Sequence, residues 1–292
     1  MEALRTMIEG SALEKGFVEL CQRTGMRWGP NGQENLFWYR PPWLHVVEFV
    51  VFHTFVYALR CQCKSYFRDA VERPPPREKP LSRLDQVLGL LYLACWVFQI
   101  TLKALRPQPL IQLCWMLMPC HLITLVWVYV LLSPPRLANM NLLVYLASLC
   151  SAYHWGPTSA AAVPDWGDHQ FVIEGYFFVL HHGLLLLTPV YFAARYGLLP
   201  FSWQFLAHAT WVATLINVGP YTILSYLSGL NINYHLYPPP RLMTQPVFAT
   251  IYYRFIVVGL LVVATVVCYF CIDGAGYVLR GITRRLWRLK QE

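Results

Sequence analysis

Pro119-Cys120-His121 sets a thiol and an imidazole beside a residue that cannot complete a helical hydrogen bond. A cysteine thiolate is a nucleophile, and histidine is the side chain best suited to take its proton. Such a pair supports attack on an acyl carbonyl through a thioester. Pro119 lies in the middle of the apolar run Leu110 to Leu132. It offers no donor and crowds the carbonyl of Trp115, which predicts a kink that opens the backbone next to the thiol. Alone the step carries little, because cysteine packs as a small hydrophobe and prolines are common in membrane helices. His181 and His182 sit near the centre of a second apolar run, Phe171 to Phe192. Ionisable residues at that depth are rare and face a cavity or a partner, and a neutral histidine bonded to a neighbouring helix is the plainer reading for either one.

Depth joins the two runs. Read as membrane spans they run in the same direction, with Cys120 and His182 each about 12 residues, or about 18 Å, from the same end. Thiol and imidazole then come level on adjacent helices. His121 and His181 are turned about 100° from those positions, so Cys120 and His182 are the expected pair and His121 a structural neighbour. Further polar groups are Glu48, His53, Gln99 and Asn217, with Pro220 a turn beyond Asn217. Arg254 falls near the depth of Glu174, where a charge pair or a headgroup phosphate would stabilise it. Asn231-Ile232-Asn233 followed by Pro238-Pro239-Pro240 reads as a turn and helix stop. His181, Asn217, Asn231, Asn233 and Arg254 are candidate substrate-binding or oxyanion groups.

The elements that must position these residues follow from composition. The chain is 57% hydrophobic and 13% charged over 292 residues, against roughly 45–50% and 25% in soluble domains. Apolar blocks at 43–60, 86–105, 108–132, 139–155, 170–193, 203–227 and 247–272 are of membrane-crossing length. The expected fold is all-α, a polytopic bundle of about seven transmembrane helices. Its parts are a polar N-terminal segment 1–40, a transmembrane domain 41–273 and a basic tail 274–292. The fourth block is short, ends at Trp155-Gly156-Pro157, and re-enters rather than crosses in the alternative topology. Lys and Arg concentrate at 60–85 and 273–292, which makes the C-terminus cytosolic and the N-terminus lumenal or extracellular.

The net charge of +8 suits anionic lipid headgroups better than nucleic acid, because the bases flank the spans. The N-terminus has no signal-peptide pattern. Nine cysteines, with Cys268 and Cys271 as the only pair at metal-ligand spacing, indicate neither a disulfide framework nor a metal site. No cofactor fingerprint, hydrolase elbow or internal repeat is visible, which disfavours soluble enzymes and an inverted-repeat transporter. Cys61 and Cys63 lie at a span end, where palmitoylation competes with the reading as ordinary thiols. Arg73-Pro-Pro-Pro-Arg77 reads as an extended loop.

With these residues in view the chain resembles the transmembrane protein 164 family, seven-span acyltransferases that remodel ether phospholipids. The likeness starts at Gln99 to Leu105 and passes through Met118-Pro119-Cys120-His121-Leu122 and Pro134-Pro135. It continues from Tyr176 to Tyr191, where the interval from His182 to Pro189-Val190-Tyr191 matches, and through Asn231-Ile232-Asn233, Pro238 and Tyr253-Arg254. The resemblance implies that Cys120 is the nucleophile and His182 the essential histidine. The family has asparagine where Met118 stands and a histidine where Asn217 stands, which bears on substrate choice. A looser likeness to the androgen-induced lipid-ester hydrolases keeps hydrolysis open.

The expected activity is transfer of a fatty-acyl chain onto a lysophospholipid, ether lysophosphatidylethanolamine foremost, through a Cys120 thioester with His182 as general base. An intramembrane lipid-ester hydrolase and a non-catalytic lipid-binding or receptor-like protein are the alternatives. Membrane phospholipids and lysophospholipids are the expected partners, with no obligate protein partner. Residence in the endoplasmic reticulum membrane follows from the resemblance and from the basic end Arg288-Leu-Lys290-Gln-Glu.

Overall fold

A computed structural model describes residues 2–24, 39–74, 78–80, 82–134, 139–164, 166, 169, 171–239 and 241–289. Arg77, Pro135, Pro240 and Lys290, named above, lie outside the described residues. The helices are α1 Glu2–Ile8, α2 Ala12–Arg23, α3 Pro42–Gln62, α4 Arg83–Ala104, α5 Pro109–Cys114 and α6 Pro119–Leu132. They continue with α7 Met140–Ala152, α8 Trp155–Ala162, α9 Val172–Tyr196, α10 Trp203–Ile216, α11 Thr222–Ser228 and α12 Tyr253–Leu289. The chain forms two compact units, one of Met1–Lys64 with Ala207–Val262, the other of Ser65–Leu206 with Val263–Glu292.

Among the described residues four helices are long and apolar enough to cross a membrane: Pro42–Gln62, Arg83–Ala104, Val172–Tyr196 and Tyr253–Arg285. A fifth crossing follows if Pro109–Leu117 and Pro119–Leu132, bent by 65° at their junction, count as one. The fourth expected span is only the 13-residue α7, followed after a turn by the 8-residue α8. That is short of the roughly 20 residues a crossing needs. The sixth is divided into α10, a π-helical turn at Asn217–Tyr221 that contains Pro220, and α11. The seventh begins at Tyr253 instead of 247, and its helix runs to Leu289, so most of the expected basic tail is helical. The polar N-terminal segment holds α1 and α2.

In the first unit, Ile8, Trp43, Leu44 and Val47 close a small core with Phe17 and Phe255. Ser11 caps α2 by accepting from the Glu14 amide at 3.2 Å. Burial pushes the Cys21 thiol up to about 12, because Cys21 packs against Tyr226 and Leu236 with no charge to favour a thiolate. Phe52, Val56 and Val218 form a further cluster with Trp211 and Val258.

In the second unit, α4, α6, α7 and α9 surround Tyr92, Trp127, Val130, Leu131, Leu143 and Phe192. Gly89 permits the close approach of α4 to α6, since a Cβ there would meet Leu132 at 2.6 Å. Gly276 does the same for α12 on α9, where a Cβ would lie 2.6 Å from Ala193. Asp85, fully buried at the start of α4, accepts from the Tyr191 and Tyr196 hydroxyls, each at 2.5 Å. Its neighbour Lys79 reaches the end of α6, donating to the carbonyls of Val130 at 2.9 Å and Leu131 at 2.5 Å. A helix leaves its last carbonyls without partners, and a lysine there satisfies them and complements the dipole. Burial lowers the Lys79 ammonium from its ordinary value, with Asp85 opposing the shift.

A candidate thiol and imidazole site at a broken helix

The third apolar block does not kink at Pro119; it stops and restarts. Leu117 ends a 3-10 turn, Met118 adopts φ −57° and ψ 145°, and Pro119 is the first residue of α6. The residue before a proline is pushed out of the helical region, and proline suits the first helical position, where its missing N–H costs nothing. Cys120 is thus in the first turn of a helix, at the positive end of its dipole. The amides of His121 and Leu122 donate to the Met118 carbonyl at 3.0 and 3.3 Å. Among the described residues the Cys120 amide makes no backbone bond and lies within hydrogen-bonding reach of its own thiol. Cys120 is half-buried and packs at the margin of the second unit's core.

The first turn of α6 lies against the middle of α9. The His121 and His181 rings stack with centroids 5.5 Å apart and 9° between planes. Thr124, one turn after Cys120, places its hydroxyl 2.5 Å from His181 Nε2 and donates to the Cys120 carbonyl at 2.8 Å. Gln99 of α4 reaches His181 Nδ1 at 3.4 Å. His182 turns away from this contact, its Nδ1 2.9 Å from the Phe178 carbonyl. A carbonyl only accepts, so Nδ1 carries the proton and Nε2 keeps its lone pair. His121, expected to be a structural neighbour, makes the direct ring contact with α9, and among the described residues its buried Nδ1 has no hydrogen-bond partner. Thr124 escaped the sequence reading, although its spacing of four from Cys120 was a usable signal. Among the described residues no group of histidine, cysteine and carboxylate side chains could hold a metal.

The remaining candidates belong to the first unit. Asn231 folds the loop after α11, accepting from the Leu236 and Tyr237 amides at 2.8 and 3.2 Å and donating to the Tyr237 carbonyl at 2.9 Å. Asn233, at φ 49° and ψ 33°, donates to Asn217 Oδ1 at 2.6 Å, while Asn217 donates to the Ala213 carbonyl at 2.8 Å. Both amide ends of Asn231 and Asn217 are therefore engaged locally. Arg254 makes its ion pair with Glu48. It is the second residue of α12, donating to Glu48 and to Thr222, both at 3.2 Å. Glu174 instead pairs with Arg106, and its carboxylate also accepts from the Phe171 amide at 3.2 Å.

Glu48 accepts a second guanidinium, from Arg40, which also donates to the His235 carbonyl at 2.7 Å and contacts His45 Nδ1 at 2.9 Å. This buried triad is not legible in the sequence, because Arg40 lies just before the first apolar block, where a base also suits a membrane flank.

The model of the TMEM164 family matches residues 37–272. A similar curated protein is the transmembrane protein 164 homolog of Dictyostelium discoideum, 27% identical over 167 residues, which cover 57% of this chain. The match spans 58% of that relative's own length. No solved structure matches. The family match takes in the broken helix, both histidines of α9 and the asparagine loop, and on that extent the chain belongs to the TMEM164 family.

Proposed function

We propose that this protein is a membrane acyltransferase that moves a fatty-acyl chain onto a lysophospholipid through a thioester on Cys120. The observation that carries the reading is a thiol in the first turn of α6, on a helix whose start packs against the middle of α9, the helix that holds His182. Among the described residues the Cys120 amide makes no backbone bond, and on α9 the His182 Nδ1 proton goes to the Phe178 carbonyl, which leaves the Nε2 lone pair as the proton acceptor of the ring. In the first step Nε2 takes the thiol proton while sulfur bonds to the acyl carbon. The ester C–O bond then breaks and the leaving alkoxide recovers that proton. In the second step the lysophospholipid hydroxyl gives its proton to Nε2 and its oxygen attacks the thioester, releasing the thiol. The helix dipole and the Cys120 amide favour the negative charge that develops at sulfur and at the carbonyl oxygen. Exclusion of water by the bilayer favours transfer over hydrolysis.

The acceptor we infer is ether lysophosphatidylethanolamine, in the endoplasmic reticulum membrane, with seven crossings and a lumenal N-terminus. The test is purified protein in lipid, given a phospholipid acyl donor and lysophosphatidylethanolamine. Cys120→Ser, Cys120→Ala and His182→Ala are expected to abolish acylated product. Folded variants that keep wild-type product formation would sink the proposal. Free fatty acid in place of acylated product would mark a hydrolase, and no covalent adduct at Cys120 would mark a lipid binder.

A further inference from the structure

The proton inventory around Thr124 goes further than the Cys120 thioester reading on which it rests. A hydroxyl has one hydrogen. Thr124 gives it to the Cys120 carbonyl, the ordinary back-bond of a helical threonine. The 2.5 Å contact to His181 Nε2 must then be donated by the ring. His181 is thereby the Nε2–H tautomer, and its Nδ1 accepts from the Gln99 amide. The donors run in one direction across three helices, from Gln99 on α4 through His181 on α9 to Thr124 and the Cys120 carbonyl on α6. Both His181 nitrogens are spent, so this ring is not a proton acceptor unless the chain breaks. It serves instead as the flat support on which His121 stacks.

We infer that Thr124 is a positioning residue for the reaction, tying the first turn of α6 to His181 so that the Cys120 sulfur is held still against its base. A first helical turn, with its unpaired amides, is where a helix frays most readily. At this one the only side-chain bond to the Cys120 backbone comes from Thr124 among the described residues.

Thr124→Val keeps the branched shape and removes the hydroxyl, whereas Thr124→Ser keeps the hydroxyl. In the lysophospholipid assay the valine variant is expected to lose about 10- to 100-fold in kcat with KM within about twofold, and serine to restore kcat to within about threefold. Labelling of Cys120 by an acyl-chain electrophile should slow in parallel for valine and not for serine. Wild-type kcat and labelling in a folded Thr124→Val protein would overturn the inference, as would a folded serine variant that fails equally. Should valine prevent folding, Gln99→Leu decides, with a kcat loss of several-fold expected and none refuting. If Cys120→Ala is inactive while Thr124→Val is fully active, only this inference falls. An active Cys120→Ala protein removes the thioester reading itself.

Discussion

Glu48 is 1% exposed and carries two guanidinium groups, from Arg40 at 0% and Arg254 at 5%. Its replacement by glutamine leaves the shape almost unchanged and removes the only negative charge of the triad. At 3.2 Å from Arg254 and an effective dielectric near 20, each unit-charge attraction is about 5 kcal/mol before desolvation is counted. Removing one member of a buried ion pair costs roughly 3–5 kcal/mol, because the partner stays buried and uncompensated. Here two partners are stranded, so Glu48→Gln belongs at the upper end, near 5 kcal/mol. For a chain of this size that corresponds to a fall of about 10 °C or more in Tm. The assay is thermal unfolding of the purified protein in lipid nanodiscs, followed by intrinsic tryptophan emission. The control replaces the whole triad, Arg40→Met with Glu48→Leu and Arg254→Met, which leaves no stranded charge and should recover most of the loss. The reasoning fails if Glu48→Gln melts within about 2 °C of wild type. It fails equally if the triple variant melts as low as the single one.

Two further outcomes follow from buried polar groups outside the spans. Lys79→Met strips the carbonyls of Val130 and Leu131 of their cap and takes from Asp85 its ion-pair partner; a loss of about 2–4 kcal/mol is expected in the same unfolding assay, and an unchanged Tm would contradict the capping role. Cys21 ionises near 12 when folded and near 8.5 when unfolded. Its contribution to stability is therefore complete below about pH 8.5 and is lost as pH rises toward 12. At pH 8 a soluble maleimide should modify exposed Cys61 well before buried Cys21, as peptide mass analysis would show; equal rates would contradict the burial.

The legible parts of the sequence are those that depend on one segment at a time. Length and hydropathy located α3, α4 and α9, and the interior of α12, because an apolar run long enough to cross is a local property. The block that became α7 and α8 reached only part of that length, and its terminal Trp155-Gly156-Pro157 had already marked it as the weakest. Pro119 announced a disturbance but not its size. Proline within a helix bends it, whereas here Met118 also left the helical region, so the direction of approach changed by 65°. That change reoriented the first turn and brought His121, not its neighbour, against His181. Rotation about the helix could not be read from a continuous-helix assumption. Pairs such as Lys79 with the end of α6, or Arg40 with Glu48 and His235, join distant parts of the chain. Nothing in one sequence states such a pairing, and Arg40 lies next to a span where a base reads equally well as a headgroup contact.

The proposed chemistry depends on the break as much as on the thiol. Non-helical backbone at membrane depth is tolerated only where protein or a water-filled cavity satisfies it, because each unpaired amide or carbonyl costs several kcal/mol in hydrocarbon. Several backbone groups at this break are satisfied locally. Met118 donates to the Trp115 carbonyl at 3.1 Å, its own carbonyl takes the amides of His121 and Leu122, and Pro119 has no amide to satisfy. Among the described residues the Cys120 amide makes no backbone bond. A helix of 14 residues, about 21 Å long, is pinned at its far end by Lys79 and near its start by Thr124. Those contacts set where the Cys120 amide and the thiol can be, since neither end of α6 is free to shift without giving up bonds made elsewhere. On the proposed reading, the Cys120 amide is where an acyl carbonyl oxygen would find a donor beside the thiol.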